Sequence, residues 1–328
     1  MTALSARLPI ALTMGEPSGI GPDLILLSWR ALKAPFLCVG DPAVLIERSK
    51  LLSCPLPSIE IIENPSQAEA LFGKAIPVTP IPLPGKVRAG VPNIENTAAV
   101  IESLKKAAQW ACARQVRALV TAPILKAALR EGGFAFAGHT DFLAAQAGGC
   151  NPVMILYAQD LCVVPATIHL PLAEVPSALS VPLLLETFCA TDQFLRERLA
   201  ITTPQIAVCG LNPHAGEDGW LGREEQEIII PAIKAARHKG VSLSQPLAAD
   251  GIFASNPHQW DAIIGMYHDQ VLAPFKALAF DQGVNITANL PFVRTSPDHG
   301  TALSLAGTQN IDLRSFLAAF ALADRLSA

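Results

Sequence analysis

Three histidines, His169, His214 and His268, each lie directly after a strand-like apolar run. If these runs are buried parallel strands, the three imidazoles emerge at the carboxyl edge of one sheet, where open α/β folds bind their ligands. Three neutral imidazoles can hold a catalytic divalent metal and leave one coordination position for substrate. A single histidine after a strand is more often structural, but three of the chain's seven in the same context favour a metal site.

A glycine-rich loop, Gly15-Glu-Pro-Ser-Gly19-Ile-Gly21-Pro, follows the first predicted strand and opens a helix. Its backbone amides are therefore placed to face an anion at a helix N-terminus. The spacing differs from the dinucleotide fingerprint G-x-G-x-x-G. Asp41 ends the next strand, where a ribose-binding carboxylate would stand, but strand-Gly-Asp-Pro is also an ordinary helix start. A tight structural turn explains the loop equally well, so both readings stay open.

Lys276, Asn285 and Arg294 recur at nine-residue intervals within or beside strand-like apolar sequence. Two cations and an amide suit a phosphate or carboxylate on a substrate, and solvated surface positions are the alternative. His139 and Thr140 lie at a loop-to-helix junction. There they either cap the helix or donate to a bound anion.

The elements that must position these residues alternate along the chain as apolar runs and amphipathic helices, which predicts α/β layers around a mostly parallel sheet. Strands are predicted near residues 8–14, 35–40, 116–121, 152–157, 161–168, 205–210, 261–267 and 283–289. Helices are predicted near residues 20–32, 95–114, 123–130, 139–147, 181–198, 223–239 and 312–326. The proline-rich segment at 76–86 predicts a connector or an edge strand.

Composition restricts the class of protein. The 328 residues suffice for two domains, and 51% hydrophobic with 16% charged residues indicates a packed globular protein of enzyme-like type. A net charge of −4 provides no basic surface for nucleic acid, and no apolar stretch approaches the roughly 20 residues that cross a bilayer. The seven cysteines form no CxxC pair, which favours small buried hydrophobes in a reducing cytoplasm. We therefore expect a cytoplasmic protein with neither nucleic acid nor a membrane as partner.

The motifs together resemble those of the PdxA family, the NAD-dependent 4-hydroxythreonine-4-phosphate dehydrogenases of pyridoxal 5′-phosphate biosynthesis. The similar segments run nearly from end to end and occur in the family's order. They are Gly15-Glu-Pro-Ser-Gly-Ile-Gly-Pro, Thr121-Ala-Pro, Gly138-His-Thr, His169-Leu-Pro-Leu, Gly210-Leu-Asn-Pro-His-Ala-Gly-Glu, Met266-Tyr-His-Asp-Gln, Val284-Asn-Ile-Thr and Arg294-Thr-Ser-Pro-Asp-His-Gly-Thr-Ala.

The resemblance implies a fold like that of isocitrate and isopropylmalate dehydrogenases, with two α/β/α lobes flanking a central cleft and no standard Rossmann domain. Residues 1–130 and 275–328 would form a discontinuous lobe on the cofactor side, and residues 131–274 a lobe with the metal ligands and the dimerisation surface. The active site would lie at a homodimer interface, with one metal ligand contributed by the other subunit.

The resemblance also implies roles for individual residues. The implied metal ligands are His169, His214 and His268. The implied substrate-binding residues are His139, Thr140, Lys276, Asn285 and Arg294. The implied cofactor-binding residues are Gly15, Gly19, Gly21, Asp298, His299, Gly300 and Thr301.

The implied reaction is oxidation of 4-phosphooxy-L-threonine by NAD, or NADP, to a β-keto acid that decarboxylates to 3-amino-2-oxopropyl phosphate. A divalent metal, zinc in first place with magnesium or cobalt as alternatives, lowers the pKa of the substrate hydroxyl and stabilises the later enolate. Asp250, Asp269 and His139 are the candidate catalytic residues. For the two aspartates, general base, orienter of a histidine and partner of the substrate amine remain open.

Leu125, Gly251, Ser304 and Gln309 depart from the family's usual residues, which leaves open the cofactor-side geometry and the choice of substrate. The main alternative is a paralogous dehydrogenase for a threonate or erythronate phosphate or another four-carbon hydroxy acid. A second is a metal-dependent acyl or phosphoryl transferase without nicotinamide, which explains the histidines but not the cofactor-side segments.

Overall fold

The computed structural model describes residues 7–136 and 138–328, apart from the side chain of Phe280. The chain is an α/β protein, as the alternation of runs predicted. The strands β1 to β12 are Ile10–Thr13, Phe36–Gly40, Ile59–Ile61, Ile76–Pro80, Ala118–Thr121, Val153–Ala158, Leu161–Pro165, Ile206–Cys209, Leu243–Leu247, Ala262–Gly265, Val284–Ala288 and Val293–Pro297. The α-helices α1 to α12 are Gly21–Ser28, Pro42–Leu51, Ala68–Leu71, Thr97–Cys112, Lys126–Glu131, His139–Gln146, Val175–Ala178, Val181–Arg198, Ile230–His238, Ala249–Ala254, His268–Ala279 and Arg314–Leu326.

The chain divides into two compact units, Met1–Pro152 with Leu290–Ala328, and Val153–Asn289. The resemblance places approximate boundaries at 130/131 and 274/275. The first boundary lies later in the structure because α6 packs against α4 of the first unit. The second also lies later because α11 packs against β7 and β10, and β11 pairs with β6, all in the second unit.

The first unit orders its strands β3-β4-β2-β1-β5-β12, and each neighbouring pair is parallel. The first part of the proline-rich segment 76–86 is β4, which lies between two strands, so the prediction of a connector or edge strand is wrong for 76–80. Residues 81–86 belong to no strand or helix and form a connector.

Each proline of β4 lies in a ladder, Pro77 opposite Glu60 of β3 and Pro80 opposite Gly40 of β2, but neither removes a ladder hydrogen bond. The amide of Ile76 donates on the β3 side and that of Ile81 on the β2 side, and successive amides alternate between the sides. An amide at position 77 would therefore face β2, whose pairing begins at Val78, and one at position 80 would face β3, whose pairing ends at Val78.

Helices cover both faces of the first unit's strands. Leu37 and Val39 of β2 share a buried core with α4, whereas Phe36 meets Phe320 of α12 edge to face, with ring centroids 6.3 Å apart. Adjacent residues of a strand point to opposite faces of its sheet. The two helices therefore lie on opposite sides, and β2 is buried throughout.

The second unit orders its strands β11-β6-β7-β10-β8-β9. β6 is antiparallel to both neighbours, whereas β7, β10, β8 and β9 are parallel to one another. The runs that precede His169, His268 and His214 are β7, β10 and β8, which are adjacent. The structure thus confirms that the three histidines follow the carboxyl ends of neighbouring parallel strands.

The seven cysteines are free, and Cys38, Cys162 and Cys209 are buried as predicted. Burial raises the pKa of the Cys162 and Cys209 thiols to about 12. Both therefore remain protonated at neutral pH and behave as small apolar side chains.

Among the described residues, no single helix has the length and apolar character needed to cross a membrane. One pair, Leu172–Ala178 with Val181–Arg198, meets these two criteria jointly, but its helices are bent by 91°.

Candidate metal and anion sites

His169 and His268 lie together in the second unit, with ring centroids 6.1 Å apart. They line a cleft of about 470 Å³, together with Thr167, Tyr267 and Asp269. His169 has a φ of +54°, in the left-handed region. That conformation costs a residue other than glycine about 1–2 kcal/mol, and such strain is concentrated at functional sites.

Hydrogen bonds connect the three loops that carry the histidines. Thr167, two residues before His169, donates its Oγ1 hydrogen to the carbonyl of Met266 over 2.8 Å. Gln270 accepts from the Met266 amide through Oε1 and donates from Nε2 to the carbonyl of Gly210, each over 2.7 Å. The loops after β7, β10 and β8 are therefore held in one network.

His214 begins a left-handed turn in which six consecutive residues, 214–219, have positive φ. Asn212, just before the turn, donates its amide and its Nδ2 to the two carboxylate oxygens of Glu225, over 2.8 and 3.0 Å. Glu225 is buried and opens a π-helical segment. A Cβ at Gly216 would lie only 2.6 Å from the same carboxylate, so the turn and Glu225 fit closely together.

The ring nitrogens of two histidines are oriented by carboxylates. His214 Nδ1 lies 2.5 Å from Glu217 Oε1, and His268 Nδ1 lies 2.6 Å from Asp269 Oδ1. Metal-bound histidines commonly donate one ring N–H to a carboxylate and bind the metal through the other nitrogen. The hydrogen bond and charge of Glu217, with a smaller contribution from Asp250, raise the pKa of His214.

The donor chemistry of these histidines fits a divalent metal, but the described residues of one chain do not bring three ligands together. Within 7–136 and 138–328, no group of three or more His, Cys, Asp or Glu side chains is placed to hold a metal ion. His169 and His268 come together, and His214 does not complete such a group with them.

The remaining predicted residues of the second unit are distributed over three elements. Asp250 is exposed on α10, and Asp269 is exposed beside His268. Lys276 lies in α11, about 12 Å along the helix from His268, and so is beside rather than within a strand. Asn285 lies in β11, and its buried Oδ1 has no hydrogen-bond partner among the described atoms.

The first unit places Arg294 and His139 in a polar cluster of their own. Arg294 is 3% exposed and donates from Nη2 to Thr121 Oγ1 over 2.7 Å. Burial lowers the pKa of Arg294 to about 10, so the guanidinium stays charged at neutral pH. Burial, followed by the charges of Arg294 and Lys126, lowers the pKa of His139 well below 6.5. His139 is therefore neutral.

This cluster can accept an anion. His139 Nε2 is buried, and no described atom is its hydrogen-bond partner. A buried guanidinium beside a neutral imidazole with an unused nitrogen suits a carboxylate or phosphate oxygen. His139 and Thr140 are the first two residues of α6, and its N-cap is Gly138, so the helix-capping role is wrong for both.

Lys126 is a residue of this cluster that sequence reasoning missed. A Cβ at Gly138, next to His139, would lie 3.3 Å from Lys126 Cε, and the lysine charge contributes to the low pKa of His139. The available signal was its position just after Thr121-Ala-Pro. Leu125, the N-cap of α5, makes no side-chain capping bond, so this departure from the family leaves the helix start uncapped.

Packing alone explains the glycines of the first loop. A Cβ at Gly15 would lie 2.2 Å from the Pro123 carbonyl oxygen, and one at Gly21 would lie 1.9 Å from that of Met14. Gly15 also has a φ of +65°. These contacts support the interpretation that the glycines are required by a tight structural turn. A role of the loop's backbone amides in cofactor binding stays a prediction.

The two predicted cofactor-side segments meet in the first unit. The Ile20 amide donates to the Thr301 carbonyl over 3.0 Å, and a Cβ at Gly19 would lie 2.9 Å from the same oxygen. Nothing lies within 4 Å of a Cβ built at Gly300. Of the neighbouring residues, Asp298 donates its amide to Ser315 Oγ, and His299 Nε2 is buried with no partner among the described atoms.

Asp41 has a structural role at the start of α2. Its Oδ1 accepts from the Ala43 amide over 2.8 Å, and its Oδ2 accepts from the Leu83 amide over 3.0 Å. Both carboxylate oxygens are thus engaged with backbone. The helix-start alternative explains this residue.

Comparisons with known proteins agree on one family. Residues 31–323 match the family described as "Pyridoxal phosphate biosynthetic protein PdxA". A protein named 4-hydroxythreonine-4-phosphate dehydrogenase from Xanthobacter autotrophicus is 43% identical over 98% of this chain and 94% of its own length. One of the same name from a Ruegeria species is 43% identical over 97% of this chain and 96% of its own length. A crystal structure of 4-hydroxythreonine-4-phosphate dehydrogenase from Klebsiella pneumoniae superposes with a TM-score of 0.88 at 36% identity, covering 98% of this chain and all of that one.

Proposed function

Because the chain belongs to the PdxA family of pyridoxal phosphate biosynthetic proteins, we propose that it is an NAD-dependent 4-hydroxythreonine-4-phosphate dehydrogenase. It would oxidise 4-phosphooxy-L-threonine to a β-keto acid, which loses carbon dioxide to give 3-amino-2-oxopropyl phosphate. The observation that carries this proposal is the set of three histidines after the adjacent parallel strands β7, β10 and β8.

The proposed substrate-binding residues are His139, Thr140, Lys276, Asn285 and Arg294. Arg294 is the best-supported of them, because its guanidinium is buried, charged and beside the neutral His139, which suits a phosphate or carboxylate oxygen. Near Arg294 a positive imidazolium would be unfavourable, and His139 is neutral. His139 can therefore donate one hydrogen bond to a substrate oxygen without adding charge.

The proposed metal ligands are His169, His214 and His268. A bound divalent metal would supply Lewis acidity to the substrate hydroxyl and then to the carbonyl and enolate oxygens. The chain's own contribution is orientation. Asp269 holds Nδ1 of His268 and Glu217 holds Nδ1 of His214, so that in both rings Nε2 is directed away from the carboxylate.

These contacts favour a different role for each of the two candidate aspartates, Asp269 and Asp250. The bond to His268 favours Asp269 as the orienter of that ring. Asp250 is exposed and close enough to His214 to influence its pKa. Asp250 is therefore our candidate for the general base that removes the hydroxyl proton, with pairing to the substrate amine as its alternative.

The test is NADH formation by the purified full chain, measured by absorbance with zinc, magnesium or cobalt and again with a chelator present. We expect turnover of 4-phosphooxy-L-threonine that the chelator abolishes. Threonate and erythronate phosphates serve as the comparison substrates, because they lack the amine. Faster turnover of these acids would support a paralogous dehydrogenase, and no NAD reduction with any substrate would overturn the proposal.

A further inference from the structure

A buried ion pair that has no role in the sites described above contacts the glycine loop. Arg48 of α2 and Asp23 of α1 form the pair, with side chains 2% and 0% exposed. Arg48 also donates from Nη1 to the carbonyl of Gly19 over 2.8 Å and from Nη2 to that of Pro17 over 2.9 Å. One guanidinium therefore holds two carbonyls of the loop and the first turn of the following helix.

The same pair reaches the second cofactor-side segment. Asp23 Oδ1 accepts from the amide of Gly307 over 3.0 Å. Gly307 has a φ of +78°, and two residues on, Gln309 donates from Nε2 to the carbonyl of Leu52 at the end of α2 over 2.8 Å. Together with the bond between Ile20 and Thr301, these contacts tie residues 17–20 to residues 301–309.

A gain in stability does not by itself explain why Arg48 and Asp23 are buried as a charged pair. Burying two charges costs several kcal/mol per ion, and apolar replacements of buried pairs are often neutral or stabilising. Burial raises the pKa of Asp23 to about 6 against the attraction of Arg48, and it lowers the pKa of Arg48. Desolvation thus outweighs the attraction at both groups. The pair does fix the positions of the Gly19 and Pro17 carbonyls, to which Arg48 donates hydrogen bonds. Apolar side chains could not make these bonds.

We propose that Arg48 and Asp23 are positioning residues for nucleotide-cofactor binding, which hold the glycine loop and the 301–309 segment in register with each other. The inference rests on the proposed use of these two segments by NAD. Neither side chain is expected to touch the cofactor, because both are enclosed. Their loss should weaken NAD binding while leaving the chemical step at saturating NAD nearly unchanged.

The chain offers a matched control in the same unit. Arg117 is 8% exposed, pairs with Asp324 of α12 and donates to the carbonyl of Leu8, and none of these residues belongs to the two cofactor-side segments. Arg117→Met therefore removes a second ion pair of the same unit, in which Asp324 is 25% exposed. It should lower the free energy of unfolding without affecting the affinity for NAD.

The experiment measures NAD affinity by calorimetry for the full chain, for Arg48→Met, Arg48→Lys and Asp23→Asn, and for Arg117→Met. We expect Arg48→Met and Asp23→Asn to weaken NAD binding by at least about tenfold, or ~1.4 kcal/mol, with Arg48→Lys in between. KM for NAD should rise by a similar factor while kcat stays near that of the unmodified chain. Urea unfolding of each variant reports the loss of stability separately.

The outcomes separate this inference from the function on which it rests. If the unmodified chain does not bind NAD, the proposed cofactor is wrong. If it binds NAD and both Arg48→Met and Asp23→Asn bind equally well, the positioning role is wrong. A loss of affinity in Arg117→Met as large as in Arg48→Met would also overturn it, since any ion pair of the unit would then suffice. If Arg48→Met does not fold, Arg48→Lys and Asp23→Asn decide the question by the same titration.

Discussion

At the scale of single residues, different surroundings shift the pKa of two histidines in opposite directions. Burial and the charges of Arg294 and Lys126 lower the pKa of His139, whereas Glu217 raises that of His214. Glu217 is three residues from its histidine and was visible in the sequence. Arg294 is far from His139 along the chain, so that only the fold could reveal why His139 is neutral.

The low pKa of His139 predicts a pH dependence of stability. Its ordinary pKa is 6.5, so below that pH the unfolded chain binds a proton that the folded chain does not. The free energy of unfolding should therefore fall as the pH falls below 6.5, by up to about 1.4 kcal/mol per pH unit from this group. Urea unfolding at pH 7 and pH 5.5 should show a smaller loss for His139→Gln than for the unmodified chain.

The exposed His258 provides the control for that measurement. His258→Gln should keep the pH dependence of the unmodified chain. An equal loss of stability in His139→Gln and the unmodified chain would mean that His139 takes up its proton as readily in the folded state as in the unfolded one.

At the scale of elements, the strands before the three histidines were predictable and their relation to one another was confirmed. The helix α11 was missed, although its buried residues Val271, Leu272, Phe275 and Ala279 follow helical spacing. The strand-like sequence before it obscured that signal. The left-handed turn after His214 had no usable signal, because residues with ordinary preferences are held there by Asn212 and the distant Glu225.

Glu225 should therefore be important for the stability of this turn. Glu225→Ala leaves the amide of Asn212 without its acceptor and leaves Nδ2 with its bond to Glu224 alone, which we expect to cost about 2 kcal/mol in the free energy of unfolding. Hydrogen exchange at residues 214–218 should accelerate more than exchange in β8. Glu227→Ala breaks only an exposed pair with Arg223 and should cost less than about 1 kcal/mol. Similar costs for the two variants would show that Glu225 does not hold the turn.

At the scale of the whole molecule, the proposed three-histidine site is not complete within one chain's described residues. His169 and His268 lie together, while His214 is held separately by its own turn. Sequence patterns alone do not distinguish which ligands share a chain, because all three histidines follow strands of the same kind. A homodimer in which His214 joins the other two from the second copy would complete the set, as isologous interfaces permit.

Mixing chains that lack different ligands tests this arrangement. In a dimer of His214→Ala with His268→Ala, one site would lose both ligands and the other would be intact. Random pairing would then restore roughly a quarter of the zinc-binding sites and of the NADH-forming activity. A mixture of His169→Ala with His268→Ala should restore nothing, because each site would lack one ligand. Zinc content after size-exclusion chromatography measures the result independently of activity. Recovery in the second mixture, or in neither, would contradict a shared site in which His214 is the ligand from the other chain.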